Sequence, residues 1–216
     1  MDANTVDRLL MWGKEHFRAF PWRNPQTSPW QLLVAEVLLK RELGDRVTEV
    51  WRTLVTRYPT PEKMARARRS TLERLLRPLG LQGQRAQTLT AVARALAASG
   101  GIVPRYQSLL ELPGVGPYIA GAVEVFAHGG RAPLLDPNIL RIGSRYYGRP
   151  ATQAASRRQL ARDLLAAAPV GNEKAFYYAL LDLGALLCRK SPMCSICPLN
   201  PACSYPPPIQ KESNDS

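Results

Sequence analysis

Apolar residues recur three and four apart along most of the chain, and no stretch alternates apolar with polar as a half-buried strand does. The pattern predicts an all-α protein. A first helix is expected over 5–18, before "AFPWRNPQTSP" interrupts the chain with three prolines. An apolar helix follows over 30–41, and another over 45–57 after Gly44. Thr60-Pro61-Glu62 reads as an N-cap with proline in the first helical position. Ser70-Thr71-Leu72-Glu73 fits a capping box. A long alanine-rich helix is expected over 84–99, ended by "SGGIVP", with a short one over 106–111. Further helices are expected over 117–128, 138–147, 156–168 and 172–187, with no repeat at a fixed period. The tail is proline-rich and then polar, so residues 206–216 are expected to be disordered.

One interruption is unusual. Between two helical stretches stands "LPGVGPYIAG", residues 112–121. Gly114 and Gly116 allow positive φ and leave no Cβ in the way of a close neighbour. Pro117 suits the first position of the next helix. The segment reads as a tight helix–turn–helix corner, and such a corner exposes backbone amides that can hold an anion.

Charge makes an anion relevant. The chain has 216 residues, with 29 Lys+Arg against 17 Asp+Glu, a net charge of +12. Basic residues recur along its length, which favours a nucleic-acid partner. A hydrophobic share of 45 % is that of a globular protein. No apolar run approaches the ~20 residues of a membrane helix, and the N-terminus lacks a signal-peptide pattern. An intracellular protein with no membrane partner is expected.

Few residues could carry chemistry. Glu36 stands inside the apolar run "LLVAEVLLK". A carboxyl there is either half of a structural pair with an arginine, or a group of raised pKa poised as a general acid. Asp136 precedes a proline, as an N-cap does; a capping carboxylate can also face a reacting group. Arg141 and Arg145 share one helix face, set either toward phosphates or toward solvent. All four cysteines fall in "CRKSPMCSICPLNPAC", as C-x5-C-x2-C-x5-C. Cys188, Cys194, Cys197 and Cys203 suit a metal centre, either tetrahedral zinc or a [4Fe–4S] cluster. His16 and His128 read as ordinary helix residues.

Together these motifs resemble those of the helix–hairpin–helix DNA glycosylases of the endonuclease III superfamily, over residues 17 to 204. "LPGVGPYIA" is similar to the hairpin of that superfamily, "LLDPNILRI" to its segment with the catalytic aspartate, and the cysteine run to its [4Fe–4S] loop. "FPWR" and "SPWQLLVAEVLLKR" are similar to the thymine/uracil mismatch and adenine mismatch branches, both of which carry a glutamate in the place of Glu36. Bifunctional members carry a lysine where this chain has Tyr118, and a tyrosine there is similar to the thymine-mismatch branch. Two departures stand out: the first cysteine gap is five residues where the family usually has six, and "KRELGD" follows Leu39 where relatives carry Gln-Thr or Arg-Thr.

The resemblance implies two helical domains with a cleft between them. One is a six-helix barrel over 24–133 with the hairpin; the other joins 1–23 to 134–205 and holds the cluster. It implies a monomeric, monofunctional glycosylase of base excision repair, cytoplasmic and nucleoid-associated. Its partner would be double-stranded DNA with a mismatch or damaged base, from which it removes T or U opposite G. The alternatives are removal of adenine opposite 8-oxoguanine or G, and a DNA-binding module without activity. The chain ends thirteen residues after Cys203, so the C-terminal 8-oxoguanine-reading domain of adenine glycosylases is expected to be absent.

In that frame Asp136 stabilises the cationic sugar as the N-glycosidic bond breaks, as a carboxylate does in glycoside hydrolysis. Glu36 protonates the leaving base or orients water, and Tyr118 lines the base pocket. Gly114, Val115 and Gly116 hold a DNA phosphate, and Asn138 helps to hold the reacting groups. Lys40 and Arg41 face the base left behind, Arg141 meets phosphate, and the four cysteines bind the cluster.

Overall fold

A computed structural model describes residues 1–205, helix and loop throughout, with no strand among them. The expected tail, 206–216, lies outside the described residues. The chain divides into two units, one made of residues 1–18 and the chain from 133 onward, the other of residues 19–132.

The second unit is built around an apolar central helix. Helix α2 (Pro29–Leu39) buries every residue from Leu32 to Leu38, and α3 (Gly44–Arg57), α6 (Gln82–Ala98) and α8 (Pro117–Phe126) pack on it. A helix apolar all round belongs at the centre of a core. Its start is a full capping box: Ser28 Oγ accepts from the Gln31 amide at 3.2 Å, and Gln31 Oε1 accepts from the Ser28 amide at 2.9 Å. Thr60 caps α4 (Pro61–Ala65), with proline in the first helical position. The short α7 (Tyr106–Leu110) packs on α8.

Helix α5 (Arg69–Leu76) corrects the expected capping box. Its N-cap is Arg68, without a side-chain cap bond, and Ser70 sits inside the first turn. Glu73 pairs with Arg69 at 2.7 Å instead of reaching back to a cap. Burial of Leu72 and Leu76 sets the register of this helix, and a cap worth about 1 kcal/mol does not override that.

The first unit is discontinuous in sequence. Helix α1 (Ala3–Glu15) packs on α11 (Glu173–Leu186), where Gly13 has no room for a Cβ beside Ala179. Helix α9 (Pro137–Tyr146) packs on α11 and on α10 (Ala154–Ala167). Helix α1 stops at Glu15, short of the expected end at 18, and Arg18 N donates to Asp182 Oδ2 at 3.2 Å. The two histidines lie just past helix ends: His16 is the C-cap of α1, and His128 follows α8, its Nε2 3.1 Å from Pro104 O.

Candidate active site and cysteine loop

In the first unit, the expected Asp-Pro cap is formed. Asp136 Oδ1 accepts from the Ile139 amide at 2.6 Å, with Pro137 as the first residue of α9. Its other oxygen, Oδ2, accepts from Asn138 Nδ2 at 3.0 Å. Burial pushes this carboxyl above the ordinary aspartate range, against the opposing pull of the Ile139 amide, Asn138 and Arg141. The group is therefore poorly solvated but pinned in one orientation, the condition under which a carboxylate interacts strongly with a nearby positive charge.

A chain of contacts runs from this carboxyl to the cysteines. Asn138 Oδ1 accepts from Arg141 Nη2 at 2.8 Å. The same guanidinium donates to Gly184 O at 2.8 Å and, through Nε, to Cys188 O at 2.7 Å. Gly184 makes the approach possible, because a Cβ there would stand 2.5 Å from Asn138 Cβ. Arg141, expected to meet phosphate, has three of its hydrogen bonds inside the chain.

The four cysteines line one recess with Arg145, Tyr146, Met193 and Tyr205 among its walls. Arg145 Nη1 donates to Cys188 Sγ at 3.3 Å and to Arg189 O at 2.6 Å, and the guanidinium stacks over Tyr205. Burial pushes the Cys197 thiol up to about 11 and raises that of Cys203, and the neighbouring cysteines add to both. Among the described residues, no three of His, Cys, Asp or Glu gather tightly enough to hold a single metal ion. Arg8 Nε, from α1, donates to Pro198 O at 3.2 Å and ties the loop to the helical part of its unit.

In the second unit, Glu36 lies in the middle of α2, 4 % exposed. The glycine corner forms between α7 and α8. Gly114 has φ +78, and a Cβ there would stand 2.8 Å from Thr88 Cγ2 of α6. Gly116 has φ −95 and open space around it; it is the N-cap of α8 and brings no side chain to the first-turn amides. The side chain of Val115 is buried and its amide donates to Leu112 O at 3.1 Å, so Val115 shapes the corner from within. Tyr118 is the second residue of α8 and half-buried.

Lys40 and Arg41 are exposed at the end of α2, and Arg41 has φ +64. The "FPWR" segment stands behind this turn. Phe20 packs so closely on Gly44 that no Cβ would fit, and it stacks on Trp22, which meets Trp51 edge to face. One residue absent from the sequence reading is well placed by structure, Arg85, while Arg145, expected toward phosphates or solvent, lies instead on the cysteine loop. Arg85 is 5 % exposed and donates to backbone carbonyls at the end of α2. Its sequence signal is register: it falls four, seven and eleven residues before Leu89, Val92 and Leu96, on their buried stripe.

Known proteins share this sequence and fold. The family description "HhH-GPD superfamily base excision DNA repair protein" matches residues 34–167. The chain is 38 % identical over 212 residues to a thymine-DNA glycosylase of Aeropyrum pernix, covering 92 % of each. It is also 38 % identical to an adenine DNA glycosylase of Mycobacterium tuberculosis, covering 89 % of this chain but 64 % of that protein. The solved structure of a thermostable thymine-DNA glycosylase superposes with a TM-score of 0.86 at 30 % identity, over 93 % of this chain and 94 % of the other.

Proposed function

The chain belongs to the HhH-GPD superfamily of base excision DNA repair proteins, and from that premise we propose that it is a monofunctional mismatch DNA glycosylase that excises T or U opposite G. The observation that carries the reading is the Asp136 carboxylate, half-buried and held by the Ile139 amide and Asn138, in a chain similar over nine-tenths of its length to a thymine-DNA glycosylase.

Excision starts with the target base leaving the stack, which costs a few kcal/mol and least at a mispair. The turn around Gly114 and Gly116 and the open start of α8 hold a phosphate through backbone amides and helix dipole. Val115 keeps that turn in shape from beneath. Lys40 and Arg41 add charge at the opposite strand, and the net charge of +12 supplies affinity without sequence readout. Tyr118 lines the pocket for the base. As the N-glycosidic bond breaks, positive charge grows on the sugar and Asp136 stabilises it. Glu36 protonates the departing base or orients the attacking water. Asn138 and Arg141 act as positioning residues, holding the aspartate from one side.

Tyr118 carries the monofunctional part of the reading. A lyase needs an amine to form a Schiff base with the opened sugar, and a phenol cannot. The abasic product is then left intact.

The cysteine loop, four thiols in C-x5-C-x2-C-x5-C spacing around one recess, fits a [4Fe–4S] cluster. A cluster takes one thiolate on each of four irons. Cys188, Cys194, Cys197 and Cys203 would hold it, and when bound it supplies four metal–sulfur bonds that cross-link the loop.

A panel of duplexes with T·G, U·G, A·G and A·8-oxoguanine pairs, read with and without alkali and with borohydride trapping, tests the function. Excision at T·G and U·G with strand breaks only after alkali is expected. Excision at the adenine pairs alone would establish the adenine reading. Breaks without alkali, with a trapped adduct, would overturn the monofunctional assignment. Binding without excision on any duplex would leave a DNA-binding module.

A further inference from the structure

Helix α8, like α2, carries a carboxylate inside an apolar run: Glu124 stands in "GAVEVF" and is 6 % exposed. Nothing in the excision chemistry calls on it. Its two oxygens are divided between two partners. Oε2 accepts from the Tyr106 amide, the first of α7, at 3.1 Å. Oε1 pairs with Arg105 Nη2 at 2.8 Å. Arg105 is the N-cap of α7 and brings no side-chain cap bond of its own, so a carboxylate of α8 does the capping for α7. The same two segments are tied twice more: Arg105 Nη1 donates to His128 O at 3.3 Å, and His128 Nε2 donates to Pro104 O at 3.1 Å. The chain leaving α8 then folds back, with the Gly130 amide donating to Glu124 O at 2.9 Å. Gly130 has no room for a Cβ beside Glu124 Oε1, so this backbone passes directly over the carboxylate. A buried charge is costly unless it is paired and hydrogen-bonded, and Glu124 has both kinds of partner on α7.

We propose that Glu124 is a positioning residue for DNA phosphate: by tying the start of α7 to the end of α8, it fixes the angle between the two helices and so the direction in which the amides of the Gly114–Gly116 corner point. The inference rests on the reading of that corner as a phosphate holder, and adds what keeps it aimed. A five-residue helix has too few internal bonds to hold an orientation alone, so the position of α7 is set by what grips its two ends. One end is the corner and the other is Glu124. The carboxylate lies seven residues along α8 from Pro117, roughly 10 Å from the start of that helix. That is too far to touch a phosphate held at the corner, so Glu124 acts through the two helices.

The test measures affinity of the full chain for a duplex with a stable tetrahydrofuran abasic analogue opposite G, well below the melting temperature. Phosphates flanking the analogue are replaced one at a time by neutral methylphosphonate. The phosphate at the corner is the one whose replacement weakens wild type by roughly tenfold and weakens Gly114→Ala no further. Glu124→Gln keeps an acceptor for the Tyr106 amide and loses the charge that holds Arg105. It is expected to bind the unmodified duplex roughly tenfold more weakly and to be indifferent to replacement of that one phosphate, while the penalties at every other phosphate stay as in wild type. A merely structural role would weaken all positions alike. Arg105→Gln changes an exposed side chain, so it decides the matter if Glu124→Gln does not fold; it should shrink the same penalty, and Arg105→Lys should restore most of it. A full wild-type penalty at the corner phosphate in the folded Gln variants, or a uniform loss over all phosphates, would overturn the proposal. A wild type with no phosphate that answers to Gly114→Ala would instead overturn the reading of the corner beneath it.

Discussion

At the scale of single residues, the role proposed for Asp136 sets catalysis against stability. Its folded pKa lies above the unfolded value of 3.8, chiefly through burial. The folded state therefore keeps this proton to higher pH than the unfolded chain does. The group's contribution to stability is fully present below the unfolded pKa, is lost as pH rises through the folded pKa, and remains a penalty at neutral pH. Asp136→Asn keeps a capping acceptor for the Ile139 amide and removes the charge. It is expected to lower single-turnover excision by roughly two to three orders of magnitude, by analogy with the ~3 kcal/mol of other electrostatic stabilisers, while duplex affinity holds and the melting temperature at pH 7 does not fall. Wild-type excision should rise with pH on a limb centred above the ordinary aspartate range. A flat profile, or full activity in the Asp136→Asn variant, would remove Asp136 from the chemistry. The Asp-Pro pair announced this cap in sequence, and "VAEV" announced a buried carboxyl. Arg85 was hidden because an arginine on an alanine-rich helix reads as solvated until the carbonyls 45 residues upstream are in place.

At the scale of elements, the glycine corner separates two jobs that the sequence presents as one pair. Gly114 needs its positive φ and has Thr88 against it, whereas Gly116 has neither constraint. Gly114→Ala is expected to cost about 1–3 kcal/mol and to weaken duplex binding as the turn shifts. Gly116→Ala should leave stability within about 1 kcal/mol. Thermal melts and fluorescence anisotropy on a duplex distinguish them, and equal losses at both positions would contradict the assignment. Helix positions were readable because apolar spacing reports burial directly. The start of α5 and the end of α1 were not, because packing of Leu72 and Leu76 and the bond from Arg18 to Asp182 decide them, and both are tertiary.

At the scale of the whole molecule, the cysteine spacing suits a metal centre but leaves zinc open, and the structure adds that all four thiols line one recess. The purified protein is expected to be brown and to carry about four irons and four labile sulfides per chain; stoichiometric zinc without sulfide would refute this. The discontinuity of the first unit also has a consequence on the ribosome. Residues 19–132 emerge as one uninterrupted run, so that unit can collect its core while translation continues. Helix α1 leaves the exit tunnel before that run yet has its docking surface on α11. At ~5–20 residues per second, Leu9 and Val6 wait on the order of ten seconds or more for that surface to be made. During that interval the apolar stripe of α1 is open to chaperones, and the nascent chain is vulnerable there until α11 has been made.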